Sequence, residues 1–234
     1  MVDISVIKPT RYDKIKILNE KASNGIKLII DCGFEDLMKV QEIASLSKQI
    51  ARCYSANKNS ENPFNLIIYD IGPKLEKLMI QNNHEKWKGV KSYCSKDLIN
   101  FDHFVEKLNT KLIDTNEVIN DKVILQNIPD IEECKKNIIY LTGDSPNEIK
   151  SLEKDKVYIV GGIVDRNRHK LLTLKKAEDL GISHAKLPID NYIHLATSQI
   201  LATNHVVEIL VYFNSVKEDW KEAFCSIIPK RKQD

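Results

Sequence analysis

The stretch 157–190, VYIVGGIVDRNRHKLLTLKKAEDLGISHAKLPID, decides how the chain is read. Val157 to Val160 form a short apolar run with the character of a buried strand, and Gly161-Gly162 turns the chain directly after it. Asp165 follows, then a basic run. A helix is predicted from Thr173, a plausible N-cap, to Leu180, with Gly181 as its C-terminal stop, and a further strand from His184 to Leu187. A glycine pair after a buried strand lets backbone approach a ligand at the end of a parallel sheet. Asp165 is therefore the residue to explain, although an acid after a strand is often only a turn or cap residue.

Working outward, strands are predicted at KLII (27–30), Phe64 to Tyr69 and Asn137 to Thr142, with a weaker one near Val90 to Tyr93. Helical spacing marks residues 35–55, Lys74 to Gln81, Phe101 to Leu108 and a last helix from Ser198 to Phe213. Asp144 or Ser145 is positioned to cap another helix, with Pro146 in its first turn. The region 97–136 is harder to place, with one strand expected at Val123 to Gln126. Strands alternating with helices imply an α/β fold with a parallel sheet covered on both faces. Residues 1–24 read as a basic lead-in, loose or a short helix, and 25–234 as a single domain.

Composition excludes several classes. With 42% hydrophobic and 29% charged residues the 234-residue chain is ordinary for a globular protein. Its longest apolar runs are strand-sized, far below the roughly 20 residues that cross a bilayer, so no membrane association is expected. The start lacks a secretory pattern, and an intracellular location is expected, nucleus or cytoplasm before mitochondrion. Five widely spaced cysteines without a CxxC pair fit neither a zinc site nor a disulfide framework, and no metal is required.

The net charge is only +2, but Arg166, Arg168, Lys170, Lys175 and Lys176 lie within eleven positions that hold no acid. Such a run is usually a solvated face; beside a glycine turn it also suits an anionic partner such as nucleic acid. Three strand-end turns, Thr142-Gly143-Asp144, Gly161-Gly162 with Asp165, and Lys186-Leu187-Pro188, can converge on one small molecule. Neither a G-x-G-x-x-G nor a P-loop motif occurs, which argues against a conventional dinucleotide or P-loop site. His205 reads as a packed or capping residue.

VYIVGGIVDRNRHK, followed by LTLKKAEDLGISHAKLP, ATNHVVEIL and DWKEAFCSIIPKRK, resembles the catalytic domain of the tRNA (guanine-9, N1)-methyltransferase family of the SPOUT superfamily. DCGFEDLM, EIASLSKQIARCYSANK, NPF, WKGV and IIYLTGDSPN match the same family in the same order, so the likeness covers nearly all of residues 26–232. It implies a C-terminal trefoil knot, an exception to the rule against knots. It also implies S-adenosyl-L-methionine held by Leu141, Thr142, Gly143, Gly161, Gly162, Asp165, Leu172, Thr173, Leu174 and Leu187, and action as a monomer.

The implied reaction is methyl transfer to N1 of guanine 9 of tRNA, with adenine 9 accepted by some relatives. Asp165 is the family's candidate base. A free aspartate, with a pKa of about 3.9, is a weak base at neutral pH, so Asp165 either orients the base or routes the proton through water. RNA contacts are expected from Arg166, Arg168 and Lys170, and from Gln49 and Arg52, which share a helix face. Asn204 is expected either at the target base or in helix packing. The chain departs from the family in its short, mildly basic lead-in, in a longer region at 95–136, and in Ala196-Thr197-Ser198-Gln199, where relatives carry a basic stretch. A non-catalytic tRNA-binding subunit is the alternative reading.

Overall fold

The structure is a computed structural model and describes residues 10–109, 130–195, 200–216 and 218–229. Six parallel strands form one sheet, β1 (Lys27–Asp31), β2 (Asn65–Ile71), β3 (Val90–Cys94), β4 (Ile138–Leu141), β5 (Val157–Gly161) and β6 (Ser183–Ala185). Their spatial order is β3-β2-β1-β5-β4-β6. β1 sits between β2 and β5, with Ile29 opposite both Ile67 and Ile159. The four strands predicted outside the opening stretch are all present, and the one expected at 123–126 lies outside the described residues.

Both faces of the sheet are buried, which is why its central strands read as unbroken apolar runs. Leu28, Ile30, Leu66, Ile68, Tyr158 and Val160 face one core, covered by α2 (Val40–Lys58), α3 (Pro73–Gln81), α7 (Thr203–Ser215) and α8 (Trp220–Ile227). Ile29, Ile67, Tyr69, Ile138, Tyr140 and Ile159 face the other, under α4 (Phe101–Asn109) and α6 (Leu172–Asp179). The lead-in is helical from Arg11 to Ser23 (α1), with a capping box between Thr10 and Asp13 and with Ala22 buried. A five-residue helix, α5 (Ile131–Lys135), precedes β4. Among the described residues no helix is long and apolar enough to cross a membrane.

Helix α3 starts on Gly72, which has no side chain to cap it. The cap comes instead from Glu35, a buried residue after β1 whose carboxylate accepts from the Lys74 N–H (3.2 Å) and the Leu75 N–H (2.8 Å). A Cβ on Gly72 would come within 2.5 Å of that carboxylate, so the glycine leaves room for the borrowed cap. Glu35→Ala is expected to lower the unfolding free energy by about 1–2 kcal/mol in denaturant titrations, the usual cost of losing an N-cap.

Three local expectations are corrected. The helix predicted from Thr173 is α6, and its N-cap is Leu171 in the left-handed conformation (φ +59°); Thr173 lies in the first turn and has another use. No helix follows Asp144. Ser145 Oγ pairs with His184 Nδ1 (2.9 Å), and backbone bonds Lys186 N–H to Asn147 O and Ile149 N–H to Lys186 O run this segment beside the exit of β6. The last helix begins at Thr203, after Ile200 and Leu201 on the cavity wall and Ala202 at its N-cap, and a separate helix, α8, succeeds it. Trp220 anchors α8 by stacking on Phe213 and donating from its indole N–H to Lys150 O (2.8 Å).

Candidate active site

The carboxyl ends of β4, β5 and β6 open into one cavity of about 450 Å³, within the usual range for a small-molecule site. Leu141, Thr142, Gly143, Gly161, Asp165, Leu172, Thr173 and Leu187 line it, so the strand-end loops singled out in the sequence do converge. Gly162 and Leu174 are not on its wall. Gly162 acts one step behind, donating its N–H to Asp31 O (2.7 Å); a Cβ there would come within 2.9 Å of that same oxygen. The second glycine of the pair therefore lets β5 leave the sheet against β1.

Gly161 has its own constraint: a Cβ would meet Thr173 Cγ2 at 2.8 Å. Its absence lets α6 close on the turn, where the Thr173 hydroxyl donates to Thr142 Oγ1 (2.7 Å). Thr203 Oγ1 donates to Gly161 O (2.9 Å), pinning the start of α7 to the same turn. Sequence reasoning missed this side of the cavity, namely Asn167, His169, Ile189, Asp190, Ile200, Leu201, Thr203 and Val206. Only the proximity of Asn167 and His169 to Asp165 in the chain was a usable signal.

Behind the turn lies a buried charge. Asp31, 2% exposed at the end of β1, accepts from Tyr140 Oη (2.8 Å) and pairs with Lys176 Nζ of α6 at 2.7 Å. The Lys176 ammonium also lies 4.4 Å above the Phe34 ring. Burial, and then the Asp31 charge, push the Tyr140 hydroxyl well above the ordinary tyrosine range, so it remains a donor.

Asp165 sits half-buried in the loop after β5. Its Oδ1 accepts from the Asn167 N–H and its Oδ2 from the His169 N–H, both at 2.9 Å. Arg166 (φ +53°), Asn167 (φ +60°) and Leu171 (φ +59°) all have left-handed backbone. Asn tolerates that region, whereas Arg and Leu rarely do. This loop is the most strained part of the site, and the Leu171 N–H is held by Asp144 Oδ2 at 3.1 Å.

The expected RNA contacts divide. Arg166, Lys170 and, on α2, Arg52 are exposed, and among the described residues none has an ion pair. Gln49 lies on the same helix, half-buried, its amide nitrogen 3.4 Å from Ser45 Oγ and its Oε1 buried without a partner. Asn204 is 3% exposed, with its amide directed at Glu208 Oε1 (3.3 Å), which is the packing role. Arg168 is engaged within the protein. Its two terminal nitrogens donate to the two oxygens of Glu42 at 2.7 and 2.8 Å, and Nη2 also donates to Leu37 O (3.2 Å). That contact, followed by the Lys39 N–H, holds the Glu42 carboxyl down at about 2.

A family model described as tRNA (guanine(9)-N(1))-methyltransferase TRM10/TRM10A matches residues 6–233. The chain belongs to this family. It is 37% identical to tRNA methyltransferase 10 homolog A of Xenopus tropicalis, a match covering 92% of this chain and 55% of the relative. With the tRNA (guanine(9)-N1)-methyltransferase of Candida glabrata it shares 34% identity over 94% of this chain and 67% of that protein. The chain thus spans little more than half the length of the vertebrate relatives it matches.

A crystal structure of full-length spTrm10 in complex with SAH superimposes with a TM-score of 0.68 at 34% identity, covering 87% of this chain and 95% of that one. Trm10 of Thermococcus kodakaraensis, 16% identical, has the same fold, with a TM-score of 0.57 over 86% of this chain and 99% of that one. The six-stranded parallel α/β architecture of the family is therefore present here.

The cavity suits the family's cofactor. Val160, Ile163, Leu172 and Leu201 give an apolar wall for an adenosine, while Asp144 and Asp165 complement a sulfonium and an ammonium. Lys186 lies on the same wall, paired with Glu148 Oε1 (3.4 Å) and Asp190 Oδ2 (3.7 Å). Among the described residues no cluster of His, Cys, Asp and Glu is placed to hold a metal ion.

Proposed function

We propose that this chain transfers a methyl group from S-adenosylmethionine to N1 of guanine 9 in tRNA. The observation that carries the reading is the cavity where the loops after β4, β5 and β6 meet, with Asp165 on its wall, in a chain of this family. The cofactor supplies an electrophilic methyl on a sulfonium. As the N1–C bond forms and the S–C bond breaks, the N1 proton must leave.

Asp165 is the carboxylate nearest in sequence to the turn and the one the cavity shares with Asn167 and His169. Its oxygens are each used once by the loop, so it aligns the guanine edge or a water that takes the proton, and does not act as a lone strong base. N1 lies on the Watson–Crick edge, so the nucleotide must be unstacked, at a cost of about a few kcal/mol, offset by phosphate contacts. Arg166, Lys170 and Arg52 are the exposed cations for those contacts.

The same reading includes a trefoil knot threading the loops that share the cavity, action as a monomer, and an intracellular setting. It is tested by incubating the protein with S-adenosylmethionine and unmodified tRNA bearing guanine 9, then mapping reverse-transcription stops. A new stop at nucleotide 9 is expected, because N1 methylation blocks pairing. A stop only on tRNA bearing adenine 9 would reassign the base. No stop with intact tRNA binding would favour a non-catalytic tRNA-binding subunit.

A further inference from the structure

Building on the proposed methyl transfer, we infer that Glu42 is a positioning residue: through Arg168 it holds the 165–171 loop in the shape that forms one wall of the cofactor cavity. The loop has an internal tie, the Asp165 carboxylate on the Asn167 and His169 N–H groups, and a tie at its far end, Leu171 N–H to Asp144. Neither connects it to α2. Arg168 does, with a fork of two parallel bonds to Glu42 and a third bond to Leu37 O.

Exposed ion pairs generally contribute little, but this one is atypical. The Glu42 side chain is only 12% exposed, and the geometry is bidentate. It also closes a loop in which Arg166 and Leu171 hold backbone conformations that their side chains disfavour, so the loop needs an external restraint to keep its shape. Glu42 and Gln49 are seven residues apart, on one face of α2 and about 10 Å along its axis. The tether thus joins the cofactor wall to the helix face on which RNA contacts are proposed. A phosphate would have to displace a carboxylate to reach Arg168, so this arginine serves the loop and the cations beside it serve the RNA.

The test is a double-mutant cycle on the whole chain with Glu42→Gln, Arg168→Gln and the pair together. The amide introduced by Glu42→Gln would keep an acceptor for the Lys39 N–H, which Glu42 Oε2 now takes at 2.8 Å, so the cap of α2 survives while the fork to Arg168 loses one of its two bonds and its opposite charge. S-adenosylhomocysteine binding is measured by calorimetry, and unmodified tRNA binding at fixed salt. Each single substitution is expected to weaken S-adenosylhomocysteine by about tenfold, the double no further than the worse single, with tRNA affinity changed less than about twofold.

Unchanged cofactor affinity in both singles would overturn the inference. So would losses that simply add. Loss of tRNA affinity in Arg168→Gln with cofactor binding intact would return that residue to the phosphates. Amide hydrogen exchange over residues 165–171 needs no cofactor: faster exchange in Glu42→Gln supports the tether, and unchanged protection rejects it. If the unmodified protein fails to bind S-adenosylhomocysteine, the proposed function falls while the exchange experiment still decides the tether.

Discussion

Asp165→Asn lowers the methyl-transfer rate by about 100-fold or more and weakens S-adenosylhomocysteine binding as well, by about tenfold. The first effect follows from the carboxylate's place on the cavity wall beside the Gly161 turn. The second follows from its bonding. Both oxygens accept backbone N–H groups, and an amide has only one acceptor, so one N–H would face an NH₂ donor. Nothing in the sequence alone shows the carboxylate bracing its own loop. Single-turnover kinetics at saturating cofactor, with calorimetry beside them, separate the two effects. An unaltered rate removes Asp165 from the chemistry, and unaltered affinity removes it from the architecture of the loop.

Lys176→Met destabilises the protein by about 3 kcal/mol, the low end of what breaking a buried ion pair costs. Among the described residues, the substitution leaves Asp31, 2% exposed, with only Tyr140 Oη and the Gly33 N–H as donors. The low end applies because Lys176 is itself a quarter exposed. Adding Asp31→Asn removes the stranded charge, so the double variant is expected to recover a large part of the loss. Urea titrations of the two singles and the double provide the measurement. A Lys176→Met variant as stable as the parent would show that water reaches Asp31 and that the pair contributes nothing.

The stability of this pair and the shape of the site are linked. The carbonyl of Asp31 receives the Gly162 N–H, and Lys176 reaches Asp31 from α6, the helix that brings Leu172 and Thr173 to the cavity. One buried residue thus braces the turn through its main-chain carbonyl and α6 through its carboxylate. Lys176→Met is accordingly expected to disturb cofactor binding along with folding.

By itself the sequence determined where the strands lie, that they form a parallel sheet covered on both faces, and which loops end at the site. Those features are local. An apolar run buried on both faces, a glycine pair, and helical spacing are written in neighbouring residues. The tertiary structure decided the partners. Arg168 meets Glu42 across 126 positions, and Lys176 meets Asp31 across 145. The segment after Asp144 gave up its expected helix for backbone bonds around residues 184–186, and Thr203 and Leu201 reached the cavity from the end of the chain. Such choices turn on which distant donor or acceptor the packed sheet brings within about 3 Å, the ordinary hydrogen-bond distance. Short-range periodicity carries no record of that.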